Sequence, residues 1–205
     1  IMNKIDRIIH RQDVFDKLEN EKAESFAAYM KLANELSLKR KAVFSQLESN
    51  VMEHCKDLML ENARFKISCT EKKPSSNGID DIEFLVSMNP GQDFSSLSVS
   101  ASGGELSRLM LALKVVFQAS NGIETIIFDE IDTGVSGKVA LAMGAKMKAL
   151  SDKYQVLCIT HLASVAVMAN THYLVSKKST SNETITSVQE LDYDQTIQEL
   201  AIMTS

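Results

Sequence analysis

Ala101-Ser102-Gly103-Gly104-Glu105-Leu106-Ser107-Arg108, followed by Ile126-Ile127-Phe128-Asp129-Glu130, decides how this chain folds. The first stretch is a Gly-Gly turn opening onto an expected helix. Glycines let backbone N–H groups approach an anion closely, and a helix starting there adds its positive dipole end. Ser102 is placed to cap that helix, with Glu105 in its first turn. The second stretch is a β-branched, apolar run ending in two adjacent carboxylates. Such a run suits a parallel strand covered on both faces. Ligands of open α/β sheets gather at the carboxyl ends of strands, where Asp129 and Glu130 emerge. Adjacent carboxylates there repel one another, and a cation offsets that cost. Asp129 is the candidate magnesium carboxylate, direct or through water, and Glu130 the candidate base for water.

The neighbours add weight. Asp132-Thr133-Gly134 follows at once, and Cys158-Ile159-Thr160-His161 ends the next apolar run. Parallel pairing of the two runs would bring Glu130 and His161 to one sheet edge, where a histidine can bond a terminal phosphate or the attacking water. Taken singly, each motif has a plainer reading: a capped helix, an acidic turn, a loop histidine. Their order together points to phosphate recognition, then magnesium and water chemistry. Gly134-Val135-Ser136-Gly137-Lys138-Val139 imitates a phosphate-binding P-loop, but that motif needs four residues between its glycines and Ser or Thr after the Lys. Here two residues separate them and Val139 has no hydroxyl, so the loop that cradles β- and γ-phosphates is not in this sequence.

Outward from these motifs, alternation of helix and strand predicts an α/β layer with a parallel sheet. Helices are expected at about 104–119, 136–151 and 162–169, buried strands at 124–129 and 155–160, and an edge strand near 172–176. A strand at 184–188 and a short helix close the chain. Before them, residues 65–88 read as a hairpin, with Glu71 to Gly78 as an exposed, mobile turn and Asn89-Pro90-Gly91 as a stop. Residues 1–62 contain neither Gly nor Pro, and Leu32, Leu36, Val43, Leu47, Val51, Cys55 and Leu58 form one helical stripe. This is either a helix packed on its own domain or one strand of an antiparallel coiled coil. Residues 1–20 are expected to be a separate short helix or a turn. The domains read as 1–62, a helical arm, and 63–205, an α/β lobe.

Composition bounds the rest. The chain has 205 residues, 44% hydrophobic and 24% charged, as ordinary globular proteins do. Neither a membrane span nor a signal peptide is evident. A net charge of −5 gives no bulk electrostatic grip on nucleic acid. Cys55, Cys69 and Cys158 lack metal spacing and read as reduced cytosolic thiols.

Signature loop, Asp-Glu strand, Asp-containing loop and switch histidine, in that order, resemble the C-terminal half of an ABC-type P-loop ATPase head. The wording of residues 101–108 and 128–137, with Cys158 to Leu162 and Phe84 to Gly91, resembles the RecN family of bacterial SMC-like DNA double-strand-break repair proteins. The resemblance implies that Ser102, Gly103, Gly104 and Glu105 contact the γ-phosphate of ATP on the opposite head of a homodimer. It implies Asp129 on the magnesium side, Glu130 as catalytic base, Asp132 in a loop communicating across the dimer, and His161 as the switch. It further implies ATP and Mg²⁺ as cofactors, DNA as a partner of the full-length protein, and a cytoplasmic, nucleoid-associated place. The P-loop half and the outgoing coiled-coil helix would precede Ile1, and the chain alone would be inactive. Ala163-Ser164 stands where the family usually has Pro-Gln. Another SMC-like or ABC head, or a non-catalytic coiled-coil scaffold, are the alternatives.

Overall fold

The computed structural model describes residues 2–98, 103–122, 124–179 and 183–204. The elements run α1 (Met2–Asp57), β1 (Arg64–Ser75), β2 (Gly78–Ser87), β3 (Ser95–Ser96), α2 (Gly103–Asn121), β4 (Thr125–Asp129), α3 (Gly137–Ser151), β5 (Gln155–Ile159), α4 (Ala163–Ala166), β6 (His172–Ser179), β7 (Thr184–Leu191) and α5 (Tyr193–Met203). The chain divides into two compact units, one of residues 1–46 with 67–84 and one of residues 47–66 with 85–205.

In the first unit the expected break before residue 20 is absent, and α1 is continuous from Met2. With no helix breaker in the sequence, nothing local interrupts the backbone ladder. Among its described residues up to Gln46 the buried positions are Ala33 and Ser37, whereas Leu32 is 66% exposed and Val43 55% exposed. Two faces therefore coexist here, an apolar seam left open and a small, polar face that holds the hairpin. Ser37 Oγ donates to Asp80 Oδ1 at 2.6 Å and Arg40 Nη1 to Asp80 Oδ2 at 3.0 Å. Tyr29 brackets the far end, its hydroxyl donating to the Ser75 carbonyl at 3.0 Å and accepting from the Ser75 amide at 3.1 Å. So bracketed, Glu71 to Ser75 are strand rather than turn, and only Ser76 and Asn77 separate β1 from β2. Pro74 is tolerated because β1 is the edge of the β1-β2-β3 sheet.

The second unit holds the α/β arrangement. β4 and β5 pair in parallel, Ile126 opposite Val156 and Asp129 opposite Ile159, with α3 as their crossover. Ala140, Met143, Gly144, Met147 and Leu150 form the buried stripe of α3, and its Gly144 lies so close to α4 that a Cβ would meet the Ser164 carbonyl oxygen and Val165 Cα at 3.3 Å. Two expectations need correcting. β4 is buried on one face only, through Ile126 and Phe128, while Ile127 is 66% exposed, and β5 is open as well, with Ile159 55% exposed. An apolar run with both faces apolar suits cover on both sides, but the described residues of this chain cover it once. The 172–176 strand does not join this sheet. It lengthens to Ser179 and pairs antiparallel with β7, where Thr184 to Leu191 continue the alternation. α5 opens on a capping box between Asp192 and Gln195.

The Ser37 hydroxyl, then Arg40, hold the Asp80 carboxyl below its ordinary value of 3.8. A depressed acid stabilises the fold above its unfolded value and loses that contribution as pH falls through the folded one. Thermal melts of Asp80→Asn are therefore expected to show a lower midpoint near neutral pH and a flatter acid limb below about pH 4. An acid limb unchanged by the substitution would contradict this role.

Candidate functional site

The site grows from the parallel register. Because Asp129 lies opposite Ile159, the residues that follow each strand leave the sheet side by side. The Glu130 amide extends the ladder by donating to the Ile159 carbonyl at 3.2 Å. The two pairs expected at one edge, Asp129-Glu130 and Thr160-His161, are there, and Asp129, Glu130 and His161 are exposed. Glu130 has φ 46, a left-handed conformation that costs a non-glycine residue about 1–2 kcal/mol. The turn after it sustains the strain: the Thr133 hydroxyl donates to the Glu130 carbonyl at 2.9 Å and the Thr133 amide at 3.2 Å. Strained backbone of this kind clusters at functional sites in proteins generally.

Asp132 is 0% exposed. One carboxylate oxygen accepts from the Thr160 hydroxyl, and the other has no hydrogen-bond partner among the described residues. That second oxygen lies 3.6 Å from His161 Nδ1, whose ring is 63% exposed. A buried carboxylate thus ties the loop after β4 to the loop after β5, and His161 stands over it toward solvent. The sequence marked Asp132 and His161 but gave no sign that Thr160 joins them.

The Gly-Gly turn meets this loop from the other side. Gly103 begins α2, and a Cβ on Gly104 would come within 2.9 Å of the Gly134 carbonyl. Only glycine lets the two main chains pass so closely. Gly134 itself has φ 74. The Ser107 hydroxyl donates to the Gly103 carbonyl at 2.8 Å, leaving the first amides of α2 unclaimed by it. Glu105 is half-buried in that first turn. Ser102, expected as the cap, lies outside the described residues. An open groove of about 320 Å³ runs between α2 and β4, lined by Leu106, Met110, Lys114, Ile127, Asp129 and Glu130 among others. Lys114 went unmarked in the sequence; its place four residues after Met110 on α2 was the available signal. The P-loop imitation is a tight turn into α3, with Gly137 at φ 57 and Lys138 exposed.

No group of three or more His, Cys, Asp or Glu side chains among the described residues could hold a metal ion. Mg²⁺ is ordinarily held by one or two carboxylates plus waters and substrate phosphates. An exposed Asp129 at a strand end suits that arrangement and not an all-protein cage. Among the described residues, no helix is long and apolar enough to cross a membrane.

This α/β lobe, with a long helix before it, has the fold of an SMC head domain. It superposes on the Smc head domain with a coiled coil and joint from Pyrococcus yayanosii at TM-score 0.61, with 19% identity, covering 97% of this chain and 38% of that one. A chain described under ATP-driven dimerization and DNA-stimulated activation of SMC ATPases gives TM-score 0.53 at 18% identity, covering 80% of this chain and 94% of that one. At the level of sequence the likeness is to DNA repair protein RecN. The chain is 39% identical over 209 residues to RecN of Halalkalibacterium halodurans, covering 99% of this chain and 37% of that protein. RecN of Bacillus subtilis is 37% identical over 219 residues, covering 99% and 38%. The chain thus spans somewhat more than a third of the length of these curated relatives. No family model matches it.

Replacing Thr160 by Val strands the buried Asp132 carboxylate and should lower unfolding free energy in urea by about 2 kcal/mol. Adding Asp132→Asn should recover part of that loss. Additive losses from the two substitutions would mean the pair does not act together.

Proposed function

We propose that this chain is the C-terminal lobe, residues 63–205, and the returning coiled-coil arm, residues 1–62, of an SMC-like ATPase acting in DNA double-strand-break repair. The observation that carries the reading is the shared edge of Asp129-Glu130 and Thr160-His161 beside the apposed Gly104 and Gly134 turns, in a chain alike to RecN along almost its full length.

In this reading Glu130 accepts a proton from water as the water oxygen attacks the γ-phosphorus of ATP and the bond to ADP breaks. His161 bonds the terminal phosphate or the water. Asp132 positions His161 and the 130–135 loop from beneath, and the loop's main chain faces the dimer partner. Asp129 would hold Mg²⁺ directly or through water, and the ion would offset phosphate charge. Ser102, Gly103, Gly104 and Glu105 do not serve that same nucleotide: they offer amides and a helix N-terminus to the γ-phosphate bound on the opposite head. The exposed apolar face of Ile127, Leu157 and Ile159 suits a P-loop half packed against it, and the open seam at Leu32, Leu36 and Val43 suits an outgoing helix. ATP would clamp two heads together and hydrolysis would release them. DNA would be held by the whole protein in the cytoplasm, on basic surface outside this acidic chain.

Joined to a P-loop half, the chain should hydrolyse ATP, and Glu130→Gln should lower kcat by about 10²- to 10⁴-fold with the fold intact. The 205-residue chain alone should show no appreciable turnover. Equal phosphate release by wild type and the Gln variant would end the catalytic assignment.

A further inference from the structure

Arg108 is bonded at two places far apart in sequence. Its Nε donates to the Gly104 carbonyl at 3.2 Å, one turn back on α2. Its Nη1 donates to the carbonyls of Leu58 at 2.9 Å and Met59 at 3.0 Å. Those two carbonyls lie where α1 ends. There the Leu60 amide donates to the Cys55 carbonyl and the Met59 amide to the Lys56 carbonyl, both at 2.9 Å, with Met59 at φ 57. This is a Schellman turn carrying methionine where glycine is usual. The turn consumes the carbonyls of Cys55 and Lys56 and leaves those of Leu58 and Met59 over. Leu58 is 0% exposed, so water is a poor substitute for the missing partner. A guanidinium answers both, and its charge also suits the negative end of α1.

The other bond reaches the candidate site. Gly104 is the residue whose main chain abuts Gly134, two positions beyond Asp132. A single side chain therefore spans from the end of the long helix to the turn that packs on the Asp132 loop. All of these residues belong to the second compact unit.

We propose that Arg108 is a positioning residue that holds the Gly103-Gly104 turn and the C-terminal end of α1 as one body, so that a shift of the turn is delivered to the arm. What moves the turn, a phosphate on the opposite head, rests on the ATPase reading above; the mechanical link does not.

A double-mutant cycle in the 205-residue chain tests the link by amide hydrogen exchange at Leu60, whose bond to Cys55 reports the end of α1. Arg108→Ala should lower Leu60 protection by about tenfold while β4 amides stay within about twofold. Gly104→Ala, which must displace the turn from Gly134, should lower it by about threefold in the presence of Arg108 and add nothing in the Arg108→Ala background. Arg108→Lys keeps the charge but cannot fork to both places, so it should also silence the Gly104 effect and serves if the Ala variant folds poorly. Effects that multiply independently in both backgrounds would overturn the proposal. If instead the cycle couples and Glu130→Gln turns over ATP normally, the link stands and the hydrolysis reading falls.

Discussion

Parallel pairing of β4 with β5 sets where the candidate carboxylates and the candidate histidine can be. With Asp129 opposite Ile159 and the Glu130 amide on the Ile159 carbonyl, both chains leave the sheet at one level. A slip of one residue would turn Phe128 outward and send the carboxylates to different faces. The buried Asp132 carboxylate locks that register from the loop side, since its bond to Thr160 joins the exits of the two strands. The register and the lock need each other: the pairing brings Thr160 within reach, and the bond keeps the loops from parting. Strain at Glu130 is a consequence, as the chain must reverse at once to bury Asp132 three residues after a strand residue.

Much of this was legible because local signals were strong. Apolar runs ending in Asp129-Glu130 and Thr160-His161 mark the strands, and the Gly-Gly turn with Glu105 after it marks the start of α2. Legibility failed where partners are distant in the chain. Ser37, Arg40 and Asp80 are polar residues of ordinary appearance, yet they bind hairpin to helix across some forty positions. The apolar stripe is buried where it reaches Val51, Cys55 and Leu58 but exposed at Leu32, Leu36 and Val43, and it does not include Ala33 and Ser37, which are buried in the part of the helix that holds the hairpin. Periodicity tells that a strand is apolar on two sides, not whether this chain supplies both covers, and so Ile127 and Ile159 were placed inside. Likewise, nothing near His172 to Ser176 says that β6 will choose β7 over the parallel sheet.

The same contrast orders the candidate site. Residues that would touch a ligand, Asp129, Glu130 and His161, announce themselves by type and place. Thr160, which bonds the buried Asp132, and Arg108, which bonds leftover carbonyls at the end of α1, are visible only in three dimensions. The Gly-Gly turn and the carboxylates have different neighbours. The turn packs on the Asp132 loop through Gly104 and Gly134, while the carboxylates open toward the groove beside Lys114. In the proposed reading these are two half-sites, each completed by other protein.

Mixing two inactive variants of the P-loop-completed protein tests the half-site account most directly. One carries Glu130→Gln and the other Ser102→Arg, and each alone should release almost no phosphate from ATP. At equal amounts, half of the dimers pair unlike heads, and each of these keeps one intact composite site. Turnover should therefore return to about a quarter of wild type if the dimer is two-fold and its sites act independently. A mixture as inactive as either variant alone would contradict the account.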